Sequence, residues 1–335
     1  MAVVTIDASD ADAARPRGWG RYLVELLRAF REGAAGELEI EPRAGWRRLP
    51  EVAWEQIGLP LAARGSAVLH APNCFLPLRR PCPGVVTIHD LAFETHPADF
   101  AGRTRLKYRR LAPLAARSAD RVICVSSHTA SDVIERYGVS PERVRVIGLA
   151  PSLARGDAAT RPGPYLLGVG DLRAKKDYAT LVAAWRRLRG EGLPHRLILA
   201  GVDGGEGRRL LEAAAGAPLE LTGYITDAEL DGLMRGADLF VHPSRHEGFG
   251  LVLLEAMARG TAVVCARASA LPETAGDAAA YFEPGDASEL AEVIAALLAD
   301  DARRSRLIAR GRERVAACSW EATARATADV YRELL

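Results

Sequence analysis

Runs of four or five apolar residues alternate along the chain with longer segments whose apolar positions recur every three or four residues. The short runs are rich in Val, Ile and Leu and are bounded by turn-forming residues, the pattern of strands buried on both faces. In the first half they predict strands near Val3–Ile6, Ala67–His70, Val85–His89, Val122–Val125 and Val144–Ile147. Amphipathic stretches at Arg21–Arg31, Arg103–Arg117 and Thr129–Tyr137 predict helices between them. A polar, Pro- and Gly-rich passage from Pro151 to Pro164 reads as a linker. The alternation then restarts. Strands are expected near Tyr165–Val169, Arg196–Ala200, Leu219–Thr222, Leu239–Val241 and Ala262–Cys265. Helices are expected at Tyr178–Arg189, Glu229–Arg235, Leu251–Arg259 and Ala287–Leu298, with a last one over about Trp320–Leu335. Such alternation builds parallel sheets from βαβ units, so the chain reads as two consecutive doubly wound α/β domains. Ligands of these sheets bind outside the carboxyl ends of strands, and two such domains are expected to hold one in the cleft between them.

Length agrees with that count: 335 residues are enough for about two domains, each with its own core. The balance of 49% hydrophobic and 26% charged residues is that of a globular protein. A net charge of +1 exerts no bulk pull on nucleic acid, and no nucleic-acid partner is implied. The charge is unevenly shared, because residues 1–150 carry 21 Lys+Arg against 17 Asp+Glu. Five cysteines (Cys74, Cys82, Cys124, Cys265, Cys318) form no Cys-x-x-Cys pair. They are expected to be reduced, mostly buried and not metal ligands. The N-terminus opens on a strand and not on a signal-like segment, and no apolar run approaches the ~20 residues of a membrane span. A cytoplasmic location is expected, with the inner face of the cell membrane as a second setting.

The most informative run is His242-Pro243-Ser244-Arg245-His246-Glu247-Gly248-Phe249-Gly250, followed by the helical Leu251–Arg259. It predicts a strand end, a loop bent by two glycines, and a helix start whose free amides and partial positive charge suit a phosphate. Glu247 precedes that start and Glu255 lies about one turn in, roughly 6 Å behind the first amides. A carboxylate near a helix start is also a common stabilising device. Near a bound phosphate it would be repelled unless it accepts from hydroxyls, and paired sugar or ribose hydroxyls suit it. A second loop, Gly168-Val169-Gly170-Asp171-Leu172-Arg173-Ala174-Lys175-Lys176-Asp177, holds two of the three lysines of a chain with 41 arginines. That concentration marks a place where a compact ammonium is wanted.

In the first half, Arg17-Gly18-Trp19-Gly20-Arg21-Tyr22 follows the first strand and opens a helix; Gly18 and Gly20 would let its amides approach phosphate or substrate. His89 stands at the carboxyl end of a strand, beside Asp90. Ser126 reads as a helix N-cap. The stretch from Arg103 to Arg117 has six basic residues and no acid. It is a solvated helix face or a docking face for anionic lipid or a polyanionic acceptor, so peripheral membrane contact is an open reading.

Taken together, the His242–Gly260 run, its Glu-x7-Glu spacing, the following Gly-Thr-Ala-Val-Val and Leu271-Pro272-Glu273 resemble the donor site of family 4 retaining glycosyltransferases. Val52-Ala53-Trp54-Glu55-Gln56 and the Gly-x-Gly-Arg-Tyr run look most like its mannosyltransferase-type members. The resemblance implies a GT-B fold: two Rossmann-like domains facing across a cleft, with the last helix crossing back to the first domain. It implies an acceptor-binding domain over 1–150 joined by 319–335, a linker over 151–164 and a donor-binding domain over 165–318.

The activity implied is hexosyl transfer from a nucleotide sugar, GDP-mannose first and UDP- or dTDP-sugars next, to a glycan, lipid-linked or small-molecule acceptor. Configuration would be retained, with no bound metal and no cofactor. His89 and Glu247 would serve the transferred sugar as catalytic residues. Lys176 would contact the diphosphate, Tyr224 and Ile225 would flank the base, and Glu255 would take the ribose. Gly18, Gly20, Gly248, Phe249, Gly250 and Leu251 would line the donor. Asp171 stands where the family often has an arginine, and Arg173 is the expected substitute. An epimerase on the same fold, or a catalytically silent nucleotide-sugar-binding subunit, is the alternative.

Overall fold

The structure is a computed structural model that describes residues 1–11, 18–45, 50–156, 158 and 161–335. Arg17, and Asp157, Ala159 and Thr160 of the expected linker, lie outside the described residues. The chain divides into two compact units, Met1–Ala150 with Cys318–Leu335, and Pro151–Ala317.

The first unit is a six-stranded parallel sheet in the order β2-β1-β3-β4-β5-β6. Its strands are β1 Val3–Asp7, β2 Glu39–Arg43, β3 Val68–Ala71, β4 Gly84–Ile88, β5 Arg121–Cys124 and β6 Val144–Val146. Its helices are α1 Trp19–Ala29, α2 Glu51–Ala53, α3 Leu59–Ala62, α4 Ala92–Thr95, α5 Gly102–Ser118 and α6 Ser127–Tyr137. A π-helical turn, Trp54–Gly58, joins α2 to α3. Strands β3 and β4 are buried at every position, as expected where helices cover both faces. The edge strand β2, Glu-Ile-Glu-Pro-Arg, has no apolar run; Pro42 is tolerated there because an edge strand has a free side.

The second unit repeats the plan in the order β12-β11-β10-β7-β8-β9. Its strands are β7 Tyr165–Val169, β8 Arg196–Ala200, β9 Leu219–Gly223, β10 Leu239–His242, β11 Val263–Ala266 and β12 Ala279–Phe282. Its helices are α7 Tyr178–Gly190, α8 Gly207–Ala214, α9 Asp227–Gly236, α10 Leu251–Ala258, α11 Leu271–Ala275, α12 Ala287–Ala299 and α13 Asp301–Ala316. The segment after Pro151 belongs to this unit. Arg259 donates to the carbonyls of Leu153 and Ala154, and Arg235 to those of Gly156 and Ala158. Buried Asp231 receives both guanidiniums, at 3.0 Å from Arg259 and 2.8 Å from Arg235.

The last helix, α14 Trp320–Arg332, is capped by Ser319 and completes the first unit. Tyr331 is fully buried, and its hydroxyl lies 2.7 Å from Nδ1 of buried His70 in β3. The other ring nitrogen of His70 meets Thr87 Oγ1 in β4 at 2.8 Å, and Tyr22 of α1 reaches the same hydroxyl at 3.4 Å. Burial lowers the His70 pKa to about 3, so its ring is a neutral link in this network. Glu333 then pairs with Arg121 and Arg145, each at 2.6 Å. Among the described residues no helix is long and apolar enough to cross a membrane, and all five cysteines are free.

Tyr331→Phe leaves a buried imidazole nitrogen without its partner. It is expected to cost about 1–3 kcal/mol in urea unfolding, with an unchanged slope against denaturant. Wild-type stability in this variant would mean that the bond contributes nothing net.

Candidate functional site

The strand order of the second unit locates its ligand crevice. From β7 the chain winds outward through β8 and β9, then returns to lay β10 on the other side of β7. Loops leaving two strands at such a switch diverge and open a crevice. Those loops are 170–177 and 243–250, the two that stood out in the sequence.

Glycines let the backbones close up there. A Cβ on Gly201 would lie 2.0 Å from the carbonyl oxygen of Gly170. Gly250 has φ +90°, and a Cβ on it would also press Leu271 at 2.8 Å. The two loops are joined directly. The Arg245 amide donates to the Lys175 carbonyl at 2.8 Å, and Arg245 Nε pairs with Asp177 at 2.8 Å. Ser244 Oγ, fully buried, adds a 3.3 Å bond to the same carbonyl.

Glu247 is the focus of this arrangement. Lys176 Nζ donates to its Oε1 in a short ion pair, and His242 Nε2 donates to the same oxygen at 2.8 Å. Its amide donates to Ser269 Oγ at 2.8 Å. Burial alone would raise this carboxyl, but Lys176 and the His242 hydrogen bond outweigh it and hold the group well below the usual carboxylate range. His242 is itself shifted down by burial, which the Glu247 contact only partly offsets. It therefore acts as a neutral donor through Nε2–H. Both protein contacts fall on Oε1, and Oε2 has no hydrogen-bond partner among the described residues. An ionised carboxylate with one oxygen committed and one open is suited to accept from a hydroxyl.

Gly248, Phe249 and Gly250 carry the chain from Glu247 into α10, whose first residue is Leu251; the Phe249 carbonyl accepts from Thr274 Oγ1. The N-cap of α10 is Gly250, which has no side chain to cap its amides, and no acid occupies the helix's first turn. Glu255 follows in the next turn and is buried. Arg173, the expected substitute for the displaced arginine, has Nε 4.0 Å from Asp171 and packs its stem over Gly204. Tyr224 and Ile225 follow the carboxyl end of β9, Tyr224 exposed and Ile225 half-buried. Among the described residues no cluster of His, Cys, Asp or Glu could hold a metal ion.

In the first unit the switch falls between β1 and β3. Gly18, φ +47°, is the N-cap of α1; Gly20 is not in the turn but already in the helix, where it is buried. Trp19, between them, lies over His89, with ring centroids 6.1 Å apart and planes at 23°. Tyr22 meets the same imidazole edge-on at 4.8 Å. His89 Nε2 lies 2.9 Å from the Pro72 carbonyl oxygen, so that nitrogen carries the proton. Burial lowers the ring's pKa to about 4. The imidazole is thus neutral near pH 7, and Nδ1 remains an acceptor. Asp90 accepts from the Ala92 amide at 2.9 Å, a loop-ordering contact. Ser126 Oγ accepts from the Thr129 amide at 3.1 Å and caps α6.

Comparison with known proteins identifies the family. Residues 37–155 match the family model described as Glycosyltransferase Family 4, and residues 157–314 that of Glycosyl transferases group 1. The O-antigen chain mannosyltransferase B of Escherichia coli is 31% identical over 80% of this chain and 74% of its own length. The chain belongs to glycosyltransferase family 4. Among solved structures, sucrose-phosphate synthase from Thermosynechococcus elongatus superposes with a TM-score of 0.75 at 24% identity, covering 100% of this chain and 99% of that one. Anabaena HepE, in complex with UDP and glucose, superposes at 0.74 with 20% identity, covering 98% of each. The fold of the glycosyltransferase is therefore GT-B, with a Rossmann-like sheet in each unit.

His242 was not singled out from the sequence of this glycosyltransferase. The available signal was a histidine ending a buried strand five residues before a loop glutamate. If the Lys176 contact holds Glu247 ionised, Lys176→Ala should destabilise the protein by about 1–3 kcal/mol at pH 7. The sign with pH follows from linkage. A depressed carboxyl adds stability above its unfolded pKa, near 4.5, and loses it as pH falls through the lower folded value. Removing Lys176 raises the folded pKa, so the variant's deficit should shrink from pH 7 toward pH 4 in thermal melts. A deficit independent of pH would rule out the charge pair as its source.

Proposed function

We propose that the chain is a retaining hexosyltransferase that takes its sugar from a nucleotide diphosphate donor held by the second unit, with the first unit receiving the acceptor. The observation that carries this reading is Glu247, held ionised at the β7/β10 switch by Lys176 and His242, with Oε2 open. In this assignment Oε2 accepts from the hydroxyls of the transferred sugar. Lys176 neutralises the diphosphate together with the amides at the start of α10, from Gly250 and Leu251. Gly248 and Phe249 shape the loop, Glu255 takes the ribose, and the backbone at Tyr224 and Ile225 holds the base. Arg173 supplements Lys176 by leaving Asp171 for the diphosphate. Gly18 and Gly20 allow the α1 amides to approach the substrates, and His89 accepts from a sugar hydroxyl through Nδ1.

The electrostatics suit a transfer in which the departing phosphate takes the acceptor's proton as the new bond forms on the same face of the sugar. Such chemistry asks the protein for positioning and for charge on the leaving group, not for a group titrating near neutrality. Glu247 is held too low and His89 too low to shuttle protons near pH 7. A lysine and helix amides supply positive charge where other enzymes use a metal, so the reaction is assigned as metal- and cofactor-independent. Mannose is the first assignment for the sugar, from the mannosyltransferase relative. GDP-mannose is thus the first donor to test; the UDP in the HepE complex makes UDP-sugars the next, with dTDP-sugars beside them. A glycan, a lipid-linked sugar or a small-molecule hydroxyl can serve as acceptor in this scheme.

The two glutamates are expected to separate kinetically. Glu255→Ala should raise the donor KM, whereas Glu247→Ala should mainly lower kcat. Wild-type constants in both variants would refute the assignment, and slow donor hydrolysis by the wild type without acceptor would exclude a catalytically silent subunit. A thermal-shift series across GDP-, UDP- and dTDP-sugars tests the donor independently. A ligand at ~100 times its Kd should add about 2.7 kcal/mol, and an unchanged Tm with every nucleotide sugar would count against the whole reading.

A further inference from the structure

Tyr165 and Tyr281 of the second unit hand their hydroxyl protons to main-chain carbonyls, Tyr165 to Leu233 at 2.7 Å and Tyr281 to Gly276 at 2.5 Å. Tyr178 does not. It is 2% exposed, its hydroxyl oxygen is shielded from water, and that oxygen has no hydrogen-bond partner among the described residues. Burying an unpaired hydroxyl costs free energy, and phenylalanine would fill the same space without that cost. Burial, followed by the nearby charges of Glu247 and Asp171, holds the phenol's pKa well above its ordinary value. The group is therefore a neutral O–H that keeps its proton and has nothing in the protein to give it to.

The slot that holds this ring is made by glycines. Tyr178 opens α7 straight after Asp177, whose φ of +50° turns the chain. Its ring crosses Gly168 of β7, where a Cβ would lie 2.9 Å from Tyr178 Cε1. Its hydroxyl stops at Gly170, which has φ +144°. A Cβ on Gly170 would stand 3.2 Å from the Tyr178 hydroxyl, 3.2 Å from Lys176 Cε and 3.4 Å from Lys176 Nζ. The glycine thus leaves a one-atom cradle flanked by a phenol O–H and an ammonium. An oxygen seated there would need to move only a few tenths of an ångström to bond both groups. Both groups offer protons, so an anionic oxygen suits the place best. The cations around it are already matched with acids: Lys176 with Glu247, Arg245 with Asp177 at 2.8 Å, and Arg173 with Asp171 at 4.0 Å. A neutral hydroxyl adds a bond to an anion without adding another buried charge to balance.

We propose that the Tyr178 hydroxyl belongs to the phosphate site of the transferase and, with Lys176, grips a phosphate oxygen of the nucleotide sugar over Gly170. The inference rests on the reading of this crevice as the diphosphate site. It explains why a tyrosine occupies a slot that phenylalanine fits, because the hydroxyl gains its partner when the ligand arrives. Glu247 and Asp171, the charges that act on the ring, are the rival acceptors. A bond to either of them would stabilise the protein without ligand, and that difference is measurable.

The test is calorimetric titration of GDP, UDP, dTDP and inorganic pyrophosphate into the wild-type chain and Y178F, beside thermal melts of both without ligand. Y178F is expected to melt at or above the wild-type temperature, since it loses only an unpaired hydroxyl. It should bind pyrophosphate, and whichever nucleotide the wild type prefers, roughly 10- to 100-fold more weakly, the effect of one hydrogen bond to a charged group. A lower melting temperature for Y178F without ligand would give the hydroxyl a partner in the resting protein. Equal affinities would leave it no part in binding, and either result overturns the proposal. Pyrophosphate binding that weakens in Y178F, with no nucleotide bound by the wild type, would keep the phosphate cradle and remove the nucleotide-sugar reading. A wild type that binds neither would remove both.

Discussion

One carboxylate oxygen organises the second unit. Glu247 Oε1 receives an ammonium from the loop after β7 and an imidazole N–H from the end of β10, and this joins two loops that the sheet topology would otherwise let diverge. The pairing keeps the group charged despite its burial, and an ionised carboxylate cannot donate a proton. Everything around it follows from keeping that geometry: the Lys175 carbonyl held by Arg245 and Ser244, the glycines that let backbones touch, and α10 starting at once after Gly250. A partner lost on either side would leave a buried charge half-satisfied, which costs more than the pair itself contributes.

The first unit answers with a different chemistry. At its own strand ends it presents an imidazole kept neutral by burial, stacked on Trp19 and fixed in its tautomer by Pro72. A neutral imidazole framed by aromatic rings is a different chemical surface from the second unit's ion-paired lysine and carboxylate. Two copies of one architecture are thus tuned in opposite directions by a few residues at equivalent places, which is how folds of this type acquire distinct binding properties.

Much of this was legible in the sequence. Ten strands announce themselves as apolar runs, and the loops after β7 and β10 carry unusual residues that no packing requirement explains. β2 escaped because Glu-Ile-Glu-Pro-Arg has no apolar periodicity and is held by its neighbour's backbone. β12 escaped because its first two residues, Ala279 and Ala280, carry little strand preference. Gly20 read as part of a turn because glycine usually ends helices, but it lies buried inside α1. The convergence of His242 and Lys176 on one oxygen could not be read at all. It depends on β7 and β10 becoming neighbours although some seventy residues separate them, a fact of topology and not of local pattern.

The closing helix has a consequence for how the protein is made. Tyr331 completes a hydrogen-bond chain through His70 and Thr87 inside a sheet whose strands all precede residue 147. During translation that sheet must wait for α14, because His70 Nδ1 gains its partner only once Tyr331 has been made. The second sheet needs no such delay. The sheet whose strands come first in the chain is therefore the one completed last.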